Sequence, residues 1–451
     1  MLSWDKTPDL LPMRCARAWV EINLTALENN VRTLRSYLSP TTDLMAVVKA
    51  DAYGHGAVTV AKAALASGAT WLGVATVPEG IELRQAGIEA PILVMGAVND
   101  PAEVRAIARW QLEPTIVNPK QALIFSETLT TDAECSCSQE TAQDSAQERP
   151  QNSHQVSPQN SLPVHLKLDT GMSRLGFSWQ KSVEFARFVK QLAHLEIASV
   201  YSHLATADSP DGATMRLQHE RFEQAIADLT QAQLRPPRLH LANSAATLAD
   251  KNLHYDMVRV GLATYGLYPA VHLRPDVGPK SLSRRSGDQA NSSMTVSPFF
   301  LRPVLEVKAR ITHIKDISPG DGVSYSHQFV ATEPMKIAIV GIGYADGVPR
   351  LLSNKLEVIV RGQRVKQIGA ITMDQLMLDV SAVPGIQESD VVTLLGTCQN
   401  TILSADHWAE LTGTISWEIL CGFKHRLPRI TLSASNSSAY RKPTQHPLSL
   451  G

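Results

Sequence analysis

The chain is poor in several things, and each shortage removes a class of protein. It has only five cysteines, Cys15, Cys135, Cys137, Cys398 and Cys421, in 451 residues. An odd number scattered over so long a chain does not read as a disulfide framework. Cys135-Ser-Cys137 is too tightly spaced for the usual zinc pair and lies in a polar tract. This usage suits a reducing, cytoplasmic compartment. No segment reaches the roughly 18 apolar residues of a membrane span, and Met1 to Arg17 has no apolar run of signal-peptide length, so no membrane partner is expected. A charge excess is missing too: 42 Lys and Arg stand against 43 Asp and Glu, for a formal net charge of -1. A nucleic-acid groove or an anionic lipid surface would want a clear basic surplus. Finally, no Gly-x-Gly-x-x-Gly turn follows the first strand-like run, which argues against a dinucleotide-binding open sheet.

What is present is a globular composition, 44% hydrophobic and 19% charged, long enough for two domains. Between Trp19 and about Tyr268 one pattern repeats. It opens with helical periodicity at Leu24–Glu28, where Thr25 and Glu28 have capping-box spacing. Strand-like runs follow at 44–48, 71–76, 91–96, 114–117, 164–168, 197–201, 238–241 and 257–260. Amphipathic stretches such as 58–66, 78–86, 183–193 and 215–229 separate them. Alternating strands and helices argue for a parallel sheet, and about eight units in roughly 250 residues fit a (β/α)8 TIM barrel. The barrel domain is placed at 18–270. A polar insertion at about 130–161 and a second at 276–298 interrupt the pattern, and both are expected to be solvated loops without chemistry. From 299 to 432 the texture becomes short β-branched runs punctuated by Gly and Asp, so the barrel is followed by a mainly β C-terminal domain; 433–451 is a polar tail.

The strongest local signal for chemistry is Ala46-Val47-Val48-Lys49-Ala50-Asp51-Ala52-Tyr53-Gly54-His55-Gly56. Lys49 ends an apolar run, and in a barrel the C-terminal strand ends face the active site. A lysine emerging there from low-dielectric walls is pushed toward its neutral, nucleophilic form, suited to a carbonyl cofactor or substrate. An ordinary surface lysine at a strand end is the competing reading. The glycine-bordered turn beside Tyr53 weakens it, because such a turn lets backbone approach a ligand.

This stretch resembles the pyridoxal 5′-phosphate (PLP) attachment motif of alanine racemases, a fold-type III barrel family. The likeness continues through His165-Leu-Lys-Leu-Asp-Thr-Gly-Met-Ser-Arg-Leu-Gly176, Ser202-His-Leu-Ala-Thr-Ala-Asp208, Asn243-Ser244, Val258-Arg-Val-Gly-Leu262 and Tyr265-Gly266. It resumes at Gly322-Val-Ser-Tyr325, Gly343-Tyr-Ala-Asp-Gly347 and Thr372-Met-Asp-Gln375. Jointly these motifs cover about Ala18 to Arg429, the two polar insertions excepted.

The resemblance implies racemisation of alanine, supplying D-alanine for peptidoglycan, with PLP as cofactor. It implies a homodimer with shared sites and no metal. Lys49 would carry the cofactor and act as base on one face of the α-carbon. Tyr325, reaching in from the partner subunit, would serve the other. One base per face is what inversion requires. Ser244, with backbone N–H groups of Gly261 and Leu262, Asn243 beside it and the Tyr53 phenol, would hold the phosphate; plain N-capping by Ser244 uses the same geometry. Arg259 would face the pyridine nitrogen. Arginine only donates, so the nitrogen would stay unprotonated and side reactions would be suppressed; an ordinary salt bridge at a strand end is the alternative. His203 would lie against the ring, unless it is simply a buried histidine. Arg174 would meet the phenolate oxygen and the substrate carboxylate, held by a carbamylated Lys167, for which a plain pairing with Asp169 is the alternative. Tyr344 and Met373 would come from the partner to the substrate, with Asp374 in support, and Asp208 and Arg350 would line the entrance.

Two positions depart from the family pattern: Thr372 stands where many relatives have cysteine, and His425 where they often have a phosphate-touching tyrosine. Pocket width is not readable from motifs, so a serine or lysine racemase is the runner-up. A barrel decarboxylase is disfavoured by Arg259, and a non-catalytic PLP carrier by the whole second domain.

Overall fold

The computed structural model describes residues 16–140, 161–275, 300–398 and 401–433. The second polar insertion, the end of the first and the tail lie outside these. The chain divides into two units. One contains residues 28–52 and 57–302, the other 16–27, 53–56 and 303 onward.

The first unit is a parallel barrel. Its strands are β2 (Asp43–Val47), β3 (Trp71–Val74), β4 (Ile92–Ala97), β5 (Glu113–Ile116), β6 (Leu162–Asp169), β8 (Leu195–Tyr201), β9 (Arg238–His240) and β10 (Met257–Val260), with a two-residue β7 (Phe177–Ser178) beside β6. They pair in the order β10-β2-β3-β4-β5-β6-β8-β9. The ring is completed where Asp256 N donates to Leu239 O at 3.1 Å and Arg259 N to Ala242 O at 3.0 Å. Eight runs read from the sequence become eight neighbouring strands. Their apolar character follows from burial on both faces, by side chains inside and helices outside.

The barrel interior is divided. Met45, Trp71, Leu93 and Met257 form an apolar cluster on β2, β3, β4 and β10. His165, Ser199, His240 and Arg259 are buried on β6, β8, β9 and β10. Leu93→Ala removes a fully buried side chain from the apolar half and is expected to cost about 2–5 kcal/mol. Equilibrium urea unfolding should show this as a lower midpoint at unchanged slope.

Local signals differ in detail from the spacing rules. The helix Leu24–Tyr37 is capped by Asn23, whose Oδ1 accepts from Ala26 N at 3.0 Å. Its start therefore falls one residue before the Thr25 of the expected capping box, because Asn23 already supplies the short acceptor. The helix Pro119–Glu140 runs into the segment expected to be a loop from about residue 130. Helical backbone satisfies its own polar groups, so a polar composition alone does not end it.

The second unit is mainly β. Its sheet runs β19 (Thr401–Leu403), β18 (Val391–Cys398), β15 (Glu357–Val360), β16 (Gln363–Ile368), β17 (Leu376–Asp379), β14 (Met335–Val340), β11 (Leu305–Ile317), β1 (Ala18–Asn23), β20 (Arg429–Leu432), with β18 also pairing β11. A hairpin of β12 (Gly322–Val323) and β13 (Phe329–Val330) lies apart. β1 pairs antiparallel with β11 and parallel with β20. The first strand therefore belongs to this sheet, and not to the barrel in which 18–270 had placed it. Periodicity tells that a segment is a strand; it does not tell which sheet receives it. Residues Tyr53–Gly56 also belong to this unit. Arg429 Nε donates to Gly54 O at 3.0 Å, and a Cβ on Gly54 would sit 2.7 Å from Leu420 O. The close approach and a φ of +81° both require glycine there.

Among the described residues no helix is long and apolar enough to cross a membrane.

Candidate active site

Lys49 opens the turn that follows β2. Ala50, Asp51, Ala52 and Tyr53 all have positive φ, from 51° to 54°, and Gly54 reaches 81°. Four consecutive L-residues in the left-handed region cost on the order of 1–2 kcal/mol each. Hydrogen bonds to the turn offset this. Glu79 Oε1 accepts from Ala50 N at 2.7 Å, Ala52 N donates to Val48 O at 2.8 Å, and Asp51 Oδ1 accepts from Ala57 N at 2.8 Å. Glu79 also ties down its own helix entry, its Oε2 accepting from Ala75 N at 2.7 Å and Thr76 N at 3.1 Å. One carboxylate thus fixes the turn after Lys49 and a neighbouring strand end together. Such strain persists only where the surrounding structure over-determines it, and it recurs at functional sites. Nothing in the sequence pattern pointed to Glu79. Tyr53 is buried, which pushes its phenol above the ordinary tyrosine value.

Arg259, the third residue of β10, is 3% exposed. Its Nη1 donates to His240 Nδ1 at 2.9 Å, and its Nη2 to Ser202 O at 2.7 Å, Leu241 O at 3.1 Å and His203 Nδ1 at 3.2 Å. The guanidinium also lies 5.0 Å from the Tyr201 ring centroid. Burial lowers it to about 10, so it stays protonated at neutral pH. Burial and the Arg259 charge hold His203 well below the usual histidine range. Among the described residues no carboxylate contacts Arg259, which disposes of the salt-bridge reading. Its Nε–H meets no acceptor there.

Lys167 is 5% exposed on β6, with its Nζ 5.4 Å from the same Tyr201 ring. Burial, then the charges of Arg259, Arg174 and Lys49, bring its amine down to about 8 against the pull of Asp169. Lys167, Arg259, Arg174 and Lys49 are thus four cations close enough to act on one another at the barrel mouth. Arg174 is exposed on a loop that Asp169 organises, its Oδ1 accepting from Gly171 N at 2.9 Å and Ser173 N at 3.0 Å.

Ser244 begins the helix Ser244–Ala249, where Asn243 is the cap, its Oδ1 accepting from Ala246 N at 3.0 Å. The Ser244 hydroxyl in turn receives Gly261 N at 3.0 Å and Ala263 N at 3.4 Å. A hydroxyl, a helix start and two backbone N–H groups converge there, a donor set suited to a phosphate. Ala263 was not read from the sequence, because a backbone donor leaves no side-chain signal. Leu262 lies buried between them.

The second unit gathers the other predicted residues. Tyr344 N donates to Thr372 O at 3.0 Å and Ala345 N to Met373 O at 3.1 Å, which zips those two loops together. Thr372 shapes its own turn, its Oγ1 donating to Gln375 O at 2.9 Å and accepting from Gln375 N at 3.1 Å. That gives the departure from cysteine a structural use. Ser324 Oγ donates to Ala370 O at 2.7 Å, which brings the Tyr325 turn to the same loops. Ser324, Ser326 and His327 all have positive φ around Tyr325. Tyr325, Tyr344 and Met373 are 68%, 43% and 53% exposed, unusually open for such large side chains. Asp374 accepts from Arg426 Nη2 at 2.7 Å. Arg350 and His425 are exposed, as is Asp208 of the first unit.

Comparison with known proteins identifies the family. The profile of the alanine racemase N-terminal domain matches residues 22–269 and that of the C-terminal domain residues 304–431. The chain belongs to the alanine racemase family. It is 58% identical to the alanine racemase of Nostoc sp. over 92% of this chain and 95% of that one. It is 55% identical to that of Synechocystis sp., covering 92% and 99%. Among solved structures, the alanine racemase of Bacillus anthracis with bound L-Ala-P matches at 33% identity and a TM-score of 0.76, covering 94% of this chain and 97% of that one. The protein is therefore an amino-acid racemase that interconverts L- and D-alanine.

Proposed function

We propose that this racemase works with PLP by a two-base mechanism in a cytoplasmic homodimer, and that its D-alanine feeds peptidoglycan. The observation that carries the cofactor reading is the buried, carboxylate-free Arg259, whose Nε–H remains available to a ring nitrogen. The residues fit the group. Ser244 with the N–H groups of Gly261 and Ala263 would take the phosphate, Lys49 the carbonyl carbon, and His203 the ring face. Bound there, PLP would supply the electron sink that makes the α-proton of alanine removable.

Arg259 would leave the ring nitrogen unprotonated and so limit how far charge spreads from the α-carbon. Arg174 would hold the substrate carboxylate. Lys49 Nζ would move the proton on one face, and Tyr325 Oη from a second copy of the chain would move it on the other. Dimerisation is supported by the exposure of Tyr325, Tyr344 and Met373 on strained or zipped loops, a large apolar outlay with no cover within its own unit. Asp208 and Arg350 would line the entrance, with Asp374 holding the Met373 loop through Arg426.

The low value of Lys167 supports carbamylation, because the neutral amine is the form that attacks carbon dioxide. The amine titrates at about 8, so the neutral fraction, and with it labelling by ¹³C-bicarbonate, should rise as pH passes from 7 to 9. Carbon NMR should show a carbamate signal that Lys167→Ala lacks.

The function itself is tested by incubating protein and PLP with L-alanine in D₂O. Formation of α-deuterated D-alanine on chiral chromatography is expected. Deuterium uptake confined to the L-enantiomer would mean that only one face has a working base.

A further inference from the structure

Arg259 raises a problem that the mechanism does not solve. A guanidinium buried to this degree is stabilised by a carboxylate or compensated in some other way, and none of the described carboxylates touches it. A hydrogen-bonded chain leads away from it through the polar half of the barrel. His240 Nε2 lies 2.9 Å from Ser199 Oγ, Ser199 Oγ lies 2.6 Å from His165 Nδ1, and His165 Nε2 lies 2.8 Å from Glu113 Oε2. The five residues come from β10, β9, β8, β6 and β5, which are consecutive around the closed ring. His165, Ser199 and His240 are fully buried. Glu113 opens β5, at the opposite end from the site, with its side chain 16% exposed.

With both histidine rings neutral, donor counting leaves one arrangement. Arginine can only donate, so His240 Nδ1 must accept, and the neutral ring carries its proton on Nε2. That proton goes to Ser199 Oγ. The serine hydroxyl then donates to His165 Nδ1, so His165 carries its proton on Nε2 and donates to the Glu113 carboxylate. Every link points the same way, from the cation to the anion, and aligned links in a low-dielectric interior polarise one another. Ring packing fixes the orientations: Tyr201 stacks on His240 at 4.6 Å and 9°, and Trp71 meets His165 edge-on at 5.7 Å. Burial and the Arg259 charge hold His240 well below the ordinary histidine range, in keeping with a neutral ring.

We propose that Glu113, at the far end of the barrel, is a positioning residue for Arg259 and acts through the directed chain His165–Ser199–His240. It supplies a relayed counter-charge and holds the His240 tautomer that Arg259 requires, which in turn sets how the guanidinium faces the site. The inference rests on the reading that Arg259 faces the cofactor ring.

The test separates the two. First, long-range ¹H–¹⁵N spectra of histidine-labelled protein, without cofactor, report which ring nitrogen of each histidine is protonated. In the wild type, His165 and His240 should both carry the proton on Nε2. Ser199→Ala should shift both rings. Glu113→Gln keeps an acceptor for His165 but removes the charge, and should shift both rings by a smaller amount. Second, in the PLP-loaded enzyme, Ser199→Ala and Glu113→Gln should each move the visible absorbance of the cofactor. They should lower kcat by on the order of tenfold, with KM for alanine little changed, as for outer partners that orient a working group. Ser199→Thr keeps the hydroxyl and should restore both readouts; a purely structural fault would not follow the hydroxyl. A wild-type His240 protonated on Nδ1 overturns the proposal. So does a chain seen by NMR whose breakage leaves absorbance and kcat unmoved, and that result leaves the racemase reading standing. Failure of the wild type to bind PLP would instead overturn the cofactor reading and the proposal with it.

Discussion

Lys49→Ala is expected to abolish racemisation and, with it, the visible absorbance that the protein acquires with PLP. The turn after Lys49 is strained, with four successive non-glycine residues at positive φ. Glu79 and Asp51 hold it there. In the proposed mechanism the same amine carries the cofactor and moves a proton, so two contributions vanish together. The loss should be at least about 10⁴-fold, the upper end of what one positioned acid–base group supplies. Chiral chromatography measures it, and far-UV circular dichroism checks that the barrel survives. Lys49 is only partly buried, so truncating it should leave folding intact. Racemisation within tenfold of wild type would remove Lys49 from the mechanism.

Tyr325→Phe should lower racemisation by about 10²–10⁴-fold while α-proton exchange with solvent persists for one enantiomer. The phenylalanine keeps the ring and loses only the hydroxyl, and the side chain is 68% exposed within its own chain, so stability should barely change. A single base can remove and return a proton on one face, which gives exchange without inversion. Mixing subunits adds a sharper readout. If Tyr325 serves a neighbouring chain's Lys49, co-refolded Lys49→Ala and Tyr325→Phe subunits should regain activity that neither shows alone, because some mixed sites hold both wild-type residues. No recovery in verified mixed dimers would place both bases in one chain.

Most of the barrel was legible because its signals are local. Each strand run is short, apolar and bounded by polar residues, and each helix has its own period, so segments 44–48 and 257–260 declare themselves without reference to anything distant. The same locality explains the error over β1. Ala18–Asn23 has a good strand pattern, but its partners β11 and β20 lie hundreds of residues away, and pairing is chosen by long-range burial. The helix that continues to Glu140 was missed for the opposite reason: its residues are polar, and the backbone hydrogen bonds that sustain it leave no mark in hydropathy.

The candidate site divides along the same line. Lys49, Arg259, Ser244 and Tyr325 could be named from the chain because each sits in a motif with its own chemistry. By itself the sequence determined which reactive groups are available, which segments carry them, and that no excess charge or apolar run competes with them. Only the tertiary structure decided what those groups experience. The charges of Arg259, Arg174 and Lys49, together with burial, set the amine of Lys167. Glu79 and Ala263 enter the site through backbone contacts that no motif encodes. Arg259 reaches Glu113 through three other side chains on three other strands. The reason is physical: covalent order fixes neighbours a few residues apart, whereas dielectric, field and hydrogen-bond direction depend on atoms that closure of the barrel alone brings within 3 Å or so of one another.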